Sequence, residues 1–302
     1  MNDYLTEISF PSIGLKLDPS KGISIGPLEL HWYGLIIAVG FLLAVMYGCR
    51  RGKDFGLKED DLIDGVLCIV PIAVIFARAY YCIFRWEDYA DDPISMLYIW
   101  KGGIAIYGGV IGAAIGIVIF TLFKKDKVKL TAALDLTALG FLIGQAVGRW
   151  GNFINREAFG AETDSFLRMG LMNKFTGEVT YYHPTFLYES LWNICGFVLL
   201  HFLSRKRKYD GQIALGYVAW YGLGRAMIEG LRTDSLYWGP VRVSQLLAAI
   251  SCVAAVVVLI IMAFKKHDPE KLFVNVVAKR NAPTEPVEAG ETAASADADT
   301  EA

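Results

Sequence analysis

Histidine is scarce in this sequence, and metal-ligand spacing is missing. None of the four histidines stands at a zinc-site spacing from a second histidine or a cysteine. The five cysteines are scattered through apolar segments, which indicates small buried side chains rather than a disulfide framework. Paired aspartates on one helix face, which would hold a divalent metal, are also missing. These absences exclude an intramembrane metalloprotease and a metal-dependent phosphatidyl-alcohol synthase, and no metal or cofactor is predicted.

Charge is also sparse. Charged residues make up 20% of the chain, against roughly 25% in soluble domains. The formal net charge is -2, and the charges fall in short loops and an acidic end, so no nucleic-acid partner is predicted. Asp3 and Glu7 stand where a signal peptide would be basic, which indicates that the chain enters the membrane by its own helices.

Long apolar runs, by contrast, are abundant. A helix needs about 20 mostly apolar residues to cross a bilayer. Three segments meet this standard without a charged residue, and four more are apolar but interrupted by Asp64, Arg78, Asp135, Glu189 or Arg225. The sequence predicts an all-α polytopic membrane protein with about seven transmembrane helices, over 30–49, 62–84, 102–123, 130–148, 185–204, 211–228 and 243–264.

The loops predict the orientation. Lysine and arginine cluster after the first, third, fifth and seventh spans, and basic loops remain cytoplasmic. The N-terminus is therefore predicted outside and the C-terminus in the cytoplasm. We expect an extracytoplasmic arm over 1–29, a seven-helix catalytic domain over 30–264 and a mostly disordered acidic cytoplasmic tail over 265–302. Within the extracytoplasmic loop 149–184, the segments 166–173 and 178–182 flank a turn and predict a small hairpin.

Several polar residues fall inside the spans, where a charge costs about 2.5–3.5 kcal/mol at mid-bilayer. Asp64 and Asp135 lie in inner halves, and we expect them to pair or hydrogen bond between helices. The others come from six elements and lie toward the outer leaflet. They are Tyr33, Arg78, Tyr107, Arg149, Asn152, Glu189 and Arg225. Three arginines in one leaflet would repel one another unless Glu157, Glu189 and Glu229, or an anionic ligand, balance them.

Paired glycines surround Tyr107. Gly112 and Gly116 have the spacing of small residues at helix contacts. Gly102, Gly103, Gly108 and Gly109 are harder to explain by packing. We interpret them as thinning the helix wall to give a ligand access to the tyrosine hydroxyl.

The most informative stretch is Gly144-Gln-Ala-Val-Gly-Arg-Trp-Gly-Asn-Phe-Ile-Asn-Arg-Glu-Ala-Phe-Gly160. Here a predicted helix ends in glycine-rich backbone that carries Arg149, Asn152, Asn155, Arg156 and Glu157. Free N–H groups and a guanidinium fork suit a phosphate, through bidentate charge-assisted hydrogen bonds. The stretch therefore predicts a phosphate-binding site.

This stretch also resembles the signature of the prolipoprotein diacylglyceryl transferase family. Four further blocks resemble that family's blocks in the same order, so that the resemblance covers about residues 25–265. They are His31-Trp-Tyr-Gly34, Gly102-Gly-Ile-Ala-Ile-Tyr-Gly-Gly109, His183-Pro-Thr-Phe-Leu-Tyr-Glu189 and Tyr221-Gly-Leu-Gly-Arg-Ala-Met-Ile-Glu229.

The resemblance implies an activity and a location. Family members transfer diacylglyceryl from phosphatidylglycerol to the lipobox cysteine of a prolipoprotein and release glycerol phosphate. They lie in the bacterial cytoplasmic (inner) membrane, with the active site in its outer half. The matching positions in this chain are Tyr33, Arg149, Asn152, Glu157, Gly160, Arg225, Glu229 and Arg232.

From the residues and the resemblance together we assign roles. The catalytic set is Arg149, Arg225, Glu157, Tyr107 and Glu229. The set that binds phosphatidylglycerol is Arg149, Asn152, Tyr33, Arg78, Gly160, Arg232 and Glu189. Arg149 and Arg225 are expected to stabilise the leaving phosphate.

The proton acceptor stays open. Many relatives have histidine where this chain has Tyr107, and tyrosine, with an ordinary pKa of about 10, is a poor base at neutral pH. Glu157 or Glu229, assisted by Tyr107, is the candidate, although Glu157 could instead pair with Arg149. The alternative function is a transporter or channel for an anionic solute, since embedded charges also mark solute pathways. The gathering of polar groups in one leaflet argues against it.

Overall fold

Seven long helices and a short eighth form the frame of the described part of the protein. The computed structural model describes residues 4–25, 28–99, 102–233, 237–239 and 241–282. Of the predicted tail over 265–302, residues 265–282 are described and include the helix Phe273–Asn281, whereas the acidic stretch after Ala282 lies outside the described residues. The helices are α1 (Trp32–Arg51), α2 (Glu59–Phe84), α3 (Ile106–Phe123), α4 (Leu130–Asn155), α5 (Thr185–Ser204), α6 (Gln212–Glu229), α7 (Val243–Ala263) and α8 (Phe273–Asn281).

The helix lengths and surfaces are those of a multi-pass membrane protein, which confirms the predicted fold class. Six of the described helices, α1 to α5 and α7, are long and apolar enough to cross a bilayer. The seventh, α6, has 18 residues and packs between α5 and α7 while also contacting α4. Large apolar side chains such as Phe123 and Leu67 are exposed, whereas Asp135 and Glu229 are buried. An apolar exterior around buried polar groups fits a lipid environment.

Glycines on α3 let this helix approach α2 closely. A Cβ at Gly112 would lie 2.6 Å from the Cβ of Phe76, and one at Gly108 would lie 2.4 Å from the Phe76 carbonyl oxygen. Our interpretation of Gly108 as a ligand opening is therefore wrong, because helix packing already requires a residue without a side chain there. Gly102 and Gly103 precede the helix with φ angles of 87° and 79°, which favour glycine.

A four-stranded antiparallel sheet covers the ends of α4 and α5. Its order is β2-β1-β5-β6, formed by β1 (Leu5–Phe10), β2 (Leu15–Leu17), β5 (Met169–Asn173) and β6 (Val179–Tyr182). The β5–β6 pair confirms the predicted hairpin, whereas the N-terminal strands were not predicted. Ile8 and Leu171 pack with Phe153 and Phe186 of the helices. Two further hairpins are β3 (Gly22–Ile25) with β4 (Leu28–His31), and β7 (Tyr237–Trp238) with β8 (Val241–Arg242).

The opposite end of the bundle carries the basic loops, and we call it the lysine end, defined by Lys124, Lys129, Arg207 and Asp210. Asp135 accepts hydrogen bonds of 2.8 Å from the backbone N–H groups of Gly211 and Ala214 at the start of α6. Asp64 lies 2.8 Å from the Lys124 ammonium. Both aspartates therefore have the interhelical bonding role that we expected. Phe273 of α8 is buried against Phe55 and Leu57.

Candidate active site

Glu189 is the centre of the polar cluster at the other end of the bundle, which we call the arginine end, defined by Arg149, Arg225, Arg232 and Glu189. Glu189 lies in the first turns of α5 and is 5% exposed. Its Oε2 forms an ion pair with Nη2 of Arg149, near the end of α4. Its Oε1 lies 3.6 Å from Nη1 of Arg225 on α6 and 3.6 Å from Nη1 of Arg232. One buried carboxylate thus gathers three guanidinium groups.

A second buried carboxylate supports the same cluster. Nη2 of Arg225 lies 2.7 Å from Oε2 of Glu229, one helical turn further along α6. Glu229 is 1% exposed. The two carboxylates hold the guanidinium groups of Arg149, Arg225 and Arg232 between helices. Guanidinium groups held in this way favour an anion as ligand.

The exposed fractions of the side chains show which members of the cluster face outward. The side chains of Arg149, Arg225 and Arg232 are 19%, 18% and 11% exposed, while those of Glu189 and Glu229 are 6% and 2% exposed. The carboxylates therefore lie inside and the guanidinium groups form the rim. A rim of guanidinium forks held by buried acids is pre-organised to accept phosphate oxygens.

Glu157 joins the cluster through amides rather than by direct pairing with Arg149. Nη1 of Arg149 donates to Oδ1 of Asn152 at 3.5 Å, and Nδ2 of Asn152 donates to Oε1 of Glu157 at 2.9 Å. Nδ2 of Asn155 reaches the same oxygen at 3.4 Å. Both bonds to Glu157 fall on Oε1, and among the described residues no hydrogen bond to its Oε2 is found.

Arg156 explains the sharp turn that aims Glu157, and it was missing from our site prediction. It ends α4 in the left-handed region, with φ 53°, and is 3% exposed. Its guanidinium donates to the Thr6 carbonyl oxygen and to Asp18 at 2.7 Å, which ties the N-terminal strands to this turn. Burial lowers the pKa of Arg156 from its ordinary value, and the Asp18 carboxylate opposes that change. Arg156 supports the site without contacting Glu189.

Gly160 positions Arg232 through the backbone. The two residues form an antiparallel bridge, and the Gly160 N–H donates to the His183 carbonyl oxygen at 2.9 Å. A Cβ at Gly160 would lie 2.9 Å from the Leu231 carbonyl oxygen and 2.7 Å from the His183 Cβ. Glycine is therefore needed for the two segments to meet. The structure places Gly160 beside the site as a spacer.

Tyr33 reaches the site from the start of α1. Its ring packs on Gly151 of α4, where an added Cβ would lie 2.6 Å from the Tyr33 Cδ2. The phenol also interacts electrostatically with Glu157 and Arg149. Tyr33 therefore lies on the α4 side of the cluster, as predicted.

The structure holds Arg78 apart from these residues. Its guanidinium donates four hydrogen bonds of 2.7 to 3.1 Å to backbone carbonyl oxygens of Ser95, Met96, Gly102 and Gly103. It also lies 5.2 Å from the centre of the Tyr89 ring. Arg78 therefore binds the backbone at residues 95–96 and 102–103, which precede α3.

Tyr107 also lies apart. It is 62% exposed at the start of α3, and its ring centre is 6.4 Å from that of Tyr80. Within the described part of the chain, no hydrogen bond or ion pair joins Tyr107 to Glu157 or Glu229.

A reciprocal tryptophan pair locks α5 to α6 beneath the cluster, and it too was not predicted. Trp192 donates its indole N–H to the Trp220 carbonyl oxygen at 3.0 Å, and Trp220 donates to the Trp192 carbonyl oxygen at 2.9 Å. The rings stack with their centres 4.4 Å apart. Gly196 and Gly224 lie directly against the indoles. Trp-x-x-x-Gly in both helices was the available sequence signal. This tryptophan pair holds α5, which carries Glu189, against α6, which carries Arg225.

Comparison with known proteins shows the family of this chain. A sequence model described as prolipoprotein diacylglyceryl transferase matches residues 21–261. A phosphatidylglycerol–prolipoprotein diacylglyceryl transferase of Bacillus cereus is 43% identical over 257 residues, which cover 83% of this chain and 94% of the relative. The protein with that name from Bacillus anthracis is 42% identical over the same length. The chain belongs to the prolipoprotein diacylglyceryl transferase family.

Proposed function

We propose that this protein transfers the diacylglyceryl group of phosphatidylglycerol to the lipobox cysteine thiol of prolipoproteins. The relatives carry this activity in their names. The observation that carries the proposal is the meeting of Arg149, Arg225 and Arg232 around the buried Glu189. A cluster of this kind suits a lipid phosphate at the membrane surface, because guanidinium groups donate charge-assisted hydrogen bonds to the oxygens of a negatively charged phosphate diester.

The reaction follows from where charge develops. The substrate thiolate attacks the carbon of the diacylglyceryl group that is bonded to a phosphate oxygen. A sulfur–carbon bond forms, the carbon–oxygen bond breaks, and the bonding electrons leave with glycerol phosphate. Negative charge on the phosphate therefore grows in the transition state, where Arg149 and Arg225 donate to it. Glu189 and Glu229 hold these guanidinium groups in place, so little reorganisation is needed during the reaction.

Glu157 is the residue that we propose for accepting the thiol proton. A thiol has an ordinary pKa of about 8.5, so its deprotonation needs a base or a positive field. Glu157 has one carboxylate oxygen held by Asn152 and Asn155, which leaves the other to receive a proton. Glu229 is less suited because its Oε2 pairs with Arg225 at 2.7 Å. Tyr33, Asn152, Gly160 and Arg232 complete the lipid-binding side, as the resemblance implies.

The location follows from the charges at the two ends. The basic loops at the lysine end favour the cytoplasmic side. The arginine end then lies in the outer half of the bacterial cytoplasmic membrane, where secreted precursors present their cysteine. The partners are the bilayer, its phosphatidylglycerol and the lipobox peptide.

A transfer assay tests the proposal. The purified protein is reconstituted in vesicles containing phosphatidylglycerol labelled in its acyl chains, and a lipobox peptide is added. We expect the label on the peptide thiol, with release of glycerol phosphate, and no label on a Cys→Ser peptide. Solute flux without label transfer would contradict the proposal and favour a transporter.

A further inference from the structure

The start of α7 supplies two side chains that bind the end of α6, the helix that carries Arg225 and Glu229. Nη1 of Arg242, the residue before α7, donates to the Glu229 carbonyl oxygen. Nε2 of Gln245 donates to the Ala226 carbonyl oxygen at 2.8 Å. The last four carbonyl groups of a helix have no partner within it, so both bonds satisfy groups that α6 leaves open. A guanidinium group at this place also opposes the negative end of the helix dipole.

The Glu229 residue connects Arg242 to the arginine cluster. The same Glu229 carbonyl oxygen that Arg242 binds also accepts the backbone N–H of Arg232 at 3.2 Å. The Glu229 side chain holds Nη2 of Arg225 at 2.7 Å through its Oε2. Arg242 therefore binds the piece of backbone from which two guanidinium groups of the cluster are held.

The guanidinium group of Arg242 is itself oriented by the β7–β8 hairpin. Tyr237 and Arg242 lie opposite each other in the two strands. Nε of Arg242 donates to the Tyr237 hydroxyl at 2.8 Å, and the guanidinium carbon lies 5.5 Å from the centre of the Tyr237 ring. A planar guanidinium fork can serve the hydroxyl and the Glu229 carbonyl oxygen in one fixed orientation, which a single ammonium group cannot do.

The packing of α6 on α7 gives this contact a rigid support. A Cβ at Gly222 of α6 would lie 2.8 Å from the Ala248 carbonyl oxygen and 3.0 Å from the Cys252 Cβ of α7. The two backbones are therefore as close as a residue without a side chain allows, and they have little room to slide. Because α7 is held in this way, the Arg242 side chain meets the end of α6 from a defined place.

We propose that Arg242 is a positioning residue for diacylglyceryl transfer, an inference that rests on the proposed function. It holds the Glu229 backbone and, through it, sets the guanidinium groups of Arg225 and Arg232 for the phosphate. Donors stabilise a growing charge most when they are in place before the reaction. Arg242 acts on the reaction through Glu229 and does not itself bind the phosphate.

Replacing Arg242 tests the proposal. Transfer to a lipobox peptide is measured in mixed micelles over a range of phosphatidylglycerol mole fractions, so that kcat and KM are obtained separately. We expect Arg242→Gln to lower kcat about tenfold and to change KM less than about threefold, because a displaced donor is felt mainly in the transition state. Arg242→Lys keeps a cation and one donor at the end of α6, and we expect it to recover part of the loss, with kcat about threefold below that of the unaltered protein.

Arg168 offers a matched control. It donates to the Asp164 carbonyl oxygen at 3.1 Å and lies 5.2 Å from the centre of the Tyr181 ring, so it has the same kinds of contact as Arg242 but binds other segments. We expect Arg168→Gln to keep kcat within about twofold.

A double-variant cycle separates positioning from a general loss of structure. In an Arg225→Lys protein the guanidinium group that Glu229 holds is already missing, so adding Arg242→Gln should lower kcat by a further factor of about three or less. A full tenfold further loss would overturn the proposal, as would an equal loss of kcat in Arg168→Gln. An undiminished kcat in Arg242→Gln, or in Arg242→Lys where the glutamine variant does not fold, would also overturn it. Absence of transfer by the unaltered protein would instead overturn the proposed function, and this inference with it.

Discussion

The two ends of the helical bundle use buried charge in different ways. At the lysine end, Asp135 is 0% exposed and accepts two backbone N–H groups at the start of α6. Asp210 accepts from the Lys129 ammonium at 3.0 Å and from the Phe273 N–H at 2.9 Å. These acids are matched by donors that close helix ends and dock α8. Their role is to hold the fold together.

At the arginine end the acids are also buried, but they hold cations instead of backbone. Glu189 and Glu229 form ion pairs with Arg149, Arg225 and Arg232, and the side chains of Arg149 and Arg225 remain 19% and 18% exposed. The comparison teaches that a buried charge in a membrane protein does not by itself indicate a site. A site is indicated where buried acids hold cationic groups at an accessible rim.

Removing a rim cation should have the largest effect. We expect Arg149→Ala to lower kcat/KM for transfer about 10²- to 10³-fold, because a positioned donor to the leaving phosphate is lost. The measurement is the initial rate of label transfer to a lipobox peptide in vesicles. The lysine-end variant Lys129→Ala is the control, with a rate within about twofold of the unaltered protein. Near-normal transfer by Arg149→Ala would remove the basis for a phosphate clamp.

Replacing Arg225 by lysine keeps the positive charge but removes the planar guanidinium group, and this variant sharpens the comparison. We expect Arg225→Lys to lower kcat/KM roughly 10- to 100-fold, since one charge-assisted hydrogen bond worth about 1.5–3 kcal/mol is lost. Arg207 packs its guanidinium 4.2 Å from the centre of the Phe55 ring at the lysine end. Arg207→Lys should therefore lower thermal stability and leave kcat/KM unchanged. Equal losses of transfer in both variants would show that the two ends do not differ as described.

Asp135→Asn should affect stability more than transfer. An amide oxygen can replace one acceptor, but its NH₂ group then faces the second backbone N–H, and an unpaired buried group costs about 1–3 kcal/mol. We expect a lower midpoint of thermal unfolding in detergent and unchanged kcat/KM for the fraction that stays folded. A loss of transfer without a loss of stability would place Asp135 in the reaction.

The smallest effect is expected at Tyr107. Its ring is 62% exposed and lies near Tyr80, apart from the arginine cluster. We expect Tyr107→Phe to keep transfer within about twofold, because a base on Glu157 does not need the phenol. Tyr107→His should also be tolerated. If kcat/KM for transfer fell tenfold or more in Tyr107→Phe, measured in the same assay, the phenol would take part in proton transfer, contrary to this account.

The sequence predicted the helices and the residues of the cluster better than it predicted which of these residues contact one another. Long apolar runs determine helices in a bilayer, so the seven helices and the membrane class could be predicted. Depth along each span placed Arg149, Glu189 and Arg225 at one end, and the contacts of Glu189 confirm that they meet. Pairing could not be predicted, because it depends on the rotation of each helix. Glu189 was expected at the lipid-binding side, and in the structure it is the carboxylate that holds three arginines.

Residues whose side chains bind backbone groups far away in the chain could not be identified from the sequence. Arg78 looked like a member of the site because it is a cation near a helix end, but its donors bind carbonyl oxygens at residues 95–96 and 102–103. Arg156 was noticed in the segment that carries the site, yet its contact with the N-terminal strands joins residues 150 positions apart. Hydropathy and motif spacing carry no information on such long-range contacts.

Binding of phosphatidylglycerol to the arginine end is the measurement that tests the account most directly. Spin-labelled phosphatidylglycerol in vesicles of zwitterionic lipid reports the immobilised fraction for the unaltered protein and for the double variant Arg149→Ala, Arg225→Ala. We predict a specific immobilised fraction that free phosphatidylglycerol displaces, and its loss in the double variant. Undiminished specific binding in a folded double variant would contradict the central claim.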